Sequence, residues 1–259
     1  MNPFHHRGFS VLLWISLFLL AKSHAQPLNA DRVGLYAGWG GCTVRDELMT
    51  PLAYSSGFAS LKVVYYGATT HDRHFIEYGF HSERLESGTG HWIKNVSHGF
   101  EYSYHRRIRF LSRGLTRVHL GCSSINTIIT RQGFFSLKTY GTGSNEYTAG
   151  ETLFTVNVSV LVERTFGSRH TARAQTSLPI LAYIVRPPYS ISENWRFRDG
   201  EFRFMRRYFF NKTKIGFETP LGPHFSLICS CTLVTYSVKD PFKVVSFTNE
   251  IGAEILFHL

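Results

Sequence analysis

From Val245 to Leu259 the chain changes face with every residue. The odd positions read Val245, Phe247, Asn249, Ile251, Ala253, Ile255, Phe257 and Leu259, whereas the even ones read Ser246, Thr248, Glu250, Gly252, Glu254, Leu256 and His258. Successive side chains of a strand point to opposite sides, so this period of two defines a strand with one apolar and one wet face. The pattern recurs upstream. Phe154 to Val162 alternate with Thr155, Asn157 and Glu163; Phe100, Tyr102 and Tyr104 oppose Glu101, Ser103 and His105; Ile76, Tyr78 and Phe80 oppose Glu77, His81 and Glu83; Leu61, Val63 and Tyr65 oppose Ser60, Lys62 and Val64. In the seventh run Ala172, Ala174, Leu178, Ile180, Ala182 and Ile184 form the apolar side against Arg173, Gln175, Ser177 and Tyr183. Ten runs are counted: 33–45, 55–68, 74–86, 97–109, 114–127, 150–164, 170–185, 206–219, 224–238 and 244–259. In the eighth, Asn211 falls on the apolar side.

A soluble β-sandwich also alternates, so the choice of solvent needs further signals. The runs are far longer than the usual strand of about 5 to 6 residues. Trp39, Tyr65, Tyr66, Tyr104 and Tyr236 lie near run ends, where the aromatic girdles of a membrane barrel would sit. Links after even-numbered runs are short and those after runs one, three, five and seven are longer, the asymmetry of inner turns and outer loops. An even strand number returns both termini to one side. The chain stops on the last strand, with Ile255, Phe257 and Leu259 on one face, which resembles the C-terminal assembly signal of outer-membrane barrels. The fold expected is all-β: a transmembrane antiparallel up-and-down β-barrel of about ten strands. Past residue 25 no apolar run reaches the length of a spanning helix, about 20 residues.

The N-terminus carries an address. Arg7 precedes an apolar run from Gly8 to Leu20, and Ser23-His24-Ala25 offers small residues where a signal peptidase reads, so cleavage is expected between Ala25 and Gln26. This divides the chain into a signal, 1–25, and one barrel domain, 26–259. The formal charge of +10 belongs to the whole chain, and the mature part remains basic. For a secreted chain that excess suits lipid head groups or anionic glycan, and nucleic acid is not an expected partner. Cys42, Cys122, Cys229 and Cys231 lack zinc-ligand spacing and read as small apolar strand residues, with cross-strand pairing of two of them as the alternative.

Asp46-Glu47-Leu48-Met49-Thr50-Pro51-Leu52 with Tyr54 to Gly57, and Arg186-Pro187-Pro188-Tyr189, resemble segments of the outer-membrane barrel proteins of Bacteroidota. The resemblance spans most of the mature chain. It implies location and fold and no activity, since such barrels have largely unassigned functions.

Ten strands close around a narrow interior. Its wet face is expected to carry Lys62, Arg107, Arg109, Arg117, Arg173, Lys212 and Lys214 against Glu77, Glu83, Glu101, Glu163, Glu218, Glu250 and Glu254, equal in number. Such balance reads as an occluded, salt-bridged lumen with a structural or surface-binding role. The alternatives are a small-solute porin and an outer-membrane enzyme acting on lipid or peptide. For a hydrolase only His224 with Ser226, or Glu77, His81 and Glu83, share a face, and no catalytic residue, metal site or cofactor is assigned. Beyond run seven, Trp195, Arg196, Phe197 and Arg198 precede Asp199-Gly200, a hairpin-turn signal, and Phe202, Arg203 and Phe204 follow it. This segment reads as an extension of strands seven and eight with its aromatics in the outer girdle. The alternative is a clamp in which Trp195, Arg196, Phe197, Arg198 and Arg203 hold lipopolysaccharide or an acidic glycan. The expected partners are the lipid bilayer, lipopolysaccharide and the barrel-assembly machinery.

Overall fold

The computed structural model describes residues 31–47, 52–89, 91–136, 144–167, 170–185, 200–204, 207–239 and 243–259. The strands are β1 (Arg32–Asp46), β2 (Ala53–Ala68), β3 (Asp72–Ser87), β4 (Trp92–Arg107), β5 (Thr116–Ser136), β6 (Ser144–Phe166), β7 (His170–Val185), β8 (Glu201–Phe204), β9 (Tyr208–Pro220), β10 (Phe225–Val238) and β11 (Val244–His258). Each pairs antiparallel with its neighbour, β6 joins β7, and β1 joins β11, so the sheet closes. Ten strands make the cylinder. The short β8 continues the wall, pairing with Leu181–Ile184 of β7 beyond the β7–β9 ladder.

Closure fixes which parity looks out. On β2, Leu61 is 71% exposed while Val64, three residues on, is fully buried. Val33, Leu35 and Trp39 of β1, Tyr78 and Phe80 of β3, and Ile251, Ile255 and Phe257 of β11 are likewise exposed. The outer surface is therefore an apolar band, and the inner one carries Glu77, Glu101, Glu163 and Glu254, all buried. This is the inverse of a water-soluble protein and suits a hydrocarbon solvent. Among the described residues no helix is long and apolar enough to cross a membrane.

Three expectations need correction. Ala182 and Ile184 are not on the apolar outer face but buried inside, at 0% and 6% exposure. The β6–β7 register slips between Val156 and Asn157: Asn157 faces Pro179 while Val156 faces Leu181, leaving Ile180 as an extra residue. Proline lacks an N–H for the ladder, a bulge accommodates it, and one extra residue exchanges the two faces beyond it. Second, Tyr66 and Tyr236 are not girdle residues. Their parity takes them inside, where the Tyr66 hydroxyl donates to Glu254 Oε2 at 2.7 Å and that of Tyr236 donates to Glu151. Third, the link after β3 is short, residues 88–91, because β3 and β4 stay paired past the apolar band. Much of the length ascribed to outer loops is strand, since backbone amides beyond the band still gain by pairing.

Asn211 does face outward on β9. It donates to Thr176 Oγ1 at 3.4 Å and accepts from Thr213 Oγ1 at 3.2 Å, so outward polar groups satisfy one another. All four cysteines are free, Cys42 inside and Cys122, Cys229 and Cys231 on the outward parity, as expected of small strand residues.

Near the β1–β11 seam Gly38 lies opposite Gly252, and the Tyr36 ring lies across both. A Cβ on either glycine would stand 2.4 Å from side-chain atoms of Tyr36. Gly38→Ala and Gly252→Ala are each expected to displace that ring and destabilise the barrel by about 1–3 kcal/mol, as overpacking does. The check is a lowered midpoint for unfolding in urea, read by loss of the compact, fast-migrating form on a denaturing gel. A Cβ on Gly99 would meet nothing within 4 Å, so Gly99→Ala is the neutral control.

Candidate functional site

The interior is stratified. At the end where β1 begins and β11 stops, Arg32 Nη1 meets Glu218 Oε1 at 2.5 Å, Arg173 Nη2 meets Glu218 Oε2 at 2.6 Å, and Arg173 Nε meets Glu163 Oε1 at 3.2 Å. Arg73 Nε reaches Glu163 Oε2 at 3.1 Å. At mid-height Lys214 Nζ pairs with Glu254 Oε1 at 2.5 Å, Lys62 with Glu250 Oε2 at 2.8 Å, and Lys212 with Glu101 and, at 3.0 Å, with Glu77 Oε1. Six cations thus face six carboxylates from strands on all sides of the barrel. Elongated side chains reach across the bore to these partners and leave a cavity of about 190 Å³ beside them. Among the described residues, Ser123, Ser159 and Ser177 form a hydroxyl chain on the β5–β7 wall, joined by His105 Nε2 at 2.9 Å from Ser159 Oγ. Toward the outer strand ends Arg131 Nη1 binds Asp46 Oδ2 at 3.0 Å and Glu151 Oε2 at 3.4 Å. Around it Tyr54, Leu85, Ile93, Tyr208 and Val238 are fully or almost fully buried.

Of the expected inward charges, Lys62, Arg173, Lys212 and Lys214 meet Glu77, Glu101, Glu163, Glu218, Glu250 and Glu254 as ion pairs, whereas Glu83 meets Asn95 and His81, and Arg107, Arg109 and Arg117 join no ion pair among the described residues. Arg109 is not in the lumen: it begins a 3-10 turn, Arg109–Leu111, at the termini end, and is exposed. Arg32, Asp46 and Arg73 were missed because each lies one residue outside a run defined by its apolar face; Arg131 lies four beyond its run. Glu151 shares the parity of Glu163 and was legible from it.

The two weak catalytic groupings do not assemble. His224 stacks on the outward Phe257 ring at 6.4 Å, while the buried Ser226 meets His258 Nε2 at 3.2 Å instead. Glu77, His81 and Glu83 do share a wall, but Glu77 is taken by lysines, Glu83 accepts from Asn95 Nδ2 at 2.7 Å, and His81 Nε2 is 3.9 Å from Glu83. Of the outer segment, Trp195, Arg196, Phe197 and Arg198 lie outside the described residues, as do Ala25, Gln26 and the Arg186-Pro187-Pro188-Tyr189 segment. Phe202 and Phe204 are exposed, whereas Arg203, opposite the buried Ala182, pairs with Glu201. Ile255 and Phe257 face outward at the closing seam, opposite Leu35 and Val33, and Leu259 N donates to Asp31 O at 2.9 Å.

A closed antiparallel cylinder with an apolar exterior and a charged interior defines a transmembrane β-barrel of the outer-membrane class. No protein-family model matches the chain, and no curated protein does. Among solved structures it is similar to the outer-membrane protease OmpT of Escherichia coli, with 8% identity and a TM-score of 0.53 over 92% of this chain and 99% of that one. The translocator domain of the autotransporter NalP from Neisseria meningitidis matches at 9% identity and a TM-score of 0.46, over 95% of this chain and 94% of that one. Neisserial surface protein A matches at 10% and 0.38, over 88% and 97%. At such identities the likeness to OmpT bears on fold alone.

Removing one member of a buried ion pair strands the other, a loss of about 3–5 kcal/mol, while replacing both by apolar residues of similar size is often neutral. Glu163→Gln is therefore expected to destabilise the barrel by about that amount, because Arg73 loses its carboxylate while Arg173 keeps Glu218. Joint replacement of Arg73 and Glu163 by Met recovers a large part of the loss. Urea midpoints of the three proteins check both statements.

Proposed function

We propose that the protein is an integral outer-membrane barrel, delivered as a precursor cleaved after Ala25, whose lumen does not conduct ions and whose role is structural or exercised at its outer rim. The observation that carries this reading is the mid-height layer in which Lys62, Lys212 and Lys214 each pair with a glutamate from another strand. An ion crossing there would have to separate charges already matched in a poorly hydrated space. The apolar exterior supports the membrane location. The seam strand β11, with Ile255, Phe257 and Leu259 outward, supports recognition by the barrel-assembly machinery. At the rim, lipopolysaccharide is the partner proposed for the arginines beyond β7, of which Arg203 lies in β8.

In planar bilayers the folded protein is expected to give no reproducible conductance steps, and steps in the unmodified protein would overturn the occluded lumen. Replacing Lys62, Glu77, Glu101 and Lys212 together by Ser is expected to produce them. Location is tested separately, by a heat-modifiable band in the outer-membrane fraction with a mature N-terminus at Gln26. Recovery from the soluble periplasm would end the membrane reading.

A further inference from the structure

At the mouth of the lumen where β1 begins and β11 stops, positive charge is in excess. The six cations paired above take up all six of their carboxylates, and two further arginines stand on the inward parity beside them. Arg107 is the last residue of β4, opposite His119, and Arg117 is the second residue of β5, opposite Glu163. Both are half-buried, and neither joins an ion pair among the described residues. No side-chain carboxylate remains to match them. The links at this end, residues 69–71, 108–115, 167–169 and 221–224, contain no Asp or Glu, and neither do residues 1–30. Asp31 and Asp72 lie on the outward side, Asp31 beside Tyr65 and Asp72 accepting from the Tyr104 hydroxyl at 2.9 Å.

The same arginines carry hydrogen-bond donors that meet no acceptor. Arg73 Nη2, Arg107 Nε and Arg173 Nη1 are buried without a partner among the described residues, and Arg73 as a whole is only 7% exposed. A guanidinium cannot shed its proton to relieve this. Buried donors are as a rule satisfied, and three together call for a group that accepts several bonds at once. Arg73 is within electrostatic reach of both Arg173 and Arg117, a gathering of like charge that an anion among them would offset.

A cavity of about 50 Å³ lies against these groups, lined by Arg32, Arg73, Arg173, Lys214, His105 and Glu163. The carboxylate in this wall, Glu163, is already held by Arg73 and Arg173. The Tyr66 ring is flanked by the Arg32 and Arg173 guanidinium carbons, 5.4 and 5.5 Å from its centroid, which steadies one side. A single water needs about 10–15 Å³ of such space, so the cavity has room for about four oxygen-sized atoms. That is the size of a small polyatomic ion and too little for a sugar or a peptide.

We infer that this mouth of the barrel is an oxyanion site, in which Arg73, Arg107 and Arg173 hold a tetrahedral dianion, inorganic phosphate or sulfate, taken from the water that meets the mouth. The two arginines left without carboxylates match its two negative charges, and the forked guanidinium donors match its oxygens. The site goes beyond the role proposed above and requires no conduction, since the anion enters and leaves by the same mouth.

Titration calorimetry tests this with the barrel refolded in a phosphorus-free non-ionic detergent and already shown to be heat-modifiable, so that a folding failure shows before the titration starts. With ionic strength held constant by sodium chloride, inorganic phosphate is expected to fill one saturable site per barrel, with sulfate competing for it. Arg73→Lys keeps the charge and loses the fork, and Arg107→Gln breaks no ion pair. Each should weaken phosphate binding by on the order of tenfold, as the loss of one hydrogen bond to an ion does. Arg109→Gln removes the same charge from the exposed turn outside the lumen, and screening by salt should keep its effect below about twofold. Phosphate should also raise the urea midpoint of the unmodified barrel, and raise that of Arg107→Gln less. Phosphatidylglycerol added to the detergent should leave the phosphate affinity unchanged. No saturable heat, several equivalent sites, or an equal loss from Arg109→Gln would each overturn the proposal. So would unchanged affinity in both Arg73→Lys and Arg107→Gln, acetate binding as tight as that of phosphate, or displacement of phosphate by the lipid.

Discussion

Everything in this molecule depends on the backbone hydrogen bond in a solvent that offers none. In hydrocarbon each unpaired N–H or C=O costs several kcal/mol, so a chain without spanning helices can cross only as a sheet closed on itself. Closure through β1 and β11 removes the edges and at the same time creates an inside. The charged interior is a consequence: residues that cannot face lipid are gathered from strands remote in sequence and must satisfy one another there.

That gathering explains why the lumen carries matched pairs. Glu163 serves arginines of β3 and β7, and Glu77 serves lysines of β2 and β9. In a bore of ten strands such side chains reach partners several strands away.

Much of this was legible because a two-faced strand writes its environment in period two. Strand number, direction, the common side of the termini and the inward parity of Lys62, Glu77, Lys212 and Glu254 all follow from it. Two kinds of error had one cause. The strands were delimited by their apolar faces, which end where the lipid ends, while the ladders continue; Arg32, Asp46, Arg73 and Arg131 fell outside for that reason. A bulge at Pro179 and Ile180 then exchanged the faces within β7, moving Ala182 and Ile184 inside. A single proline in a strand hints at such a bulge, but its direction depends on the partner strand.

By itself, the sequence determined an antiparallel barrel, its two faces and the balance of charge within, since these are local properties of alternation summed along the chain. Only the tertiary structure decided which charges meet, and that His224 and Ser226 part while Ser226 and His258 meet. Those are relations between residues tens to hundreds of positions apart, set by register and closure, and register is a property of two strands and never of one.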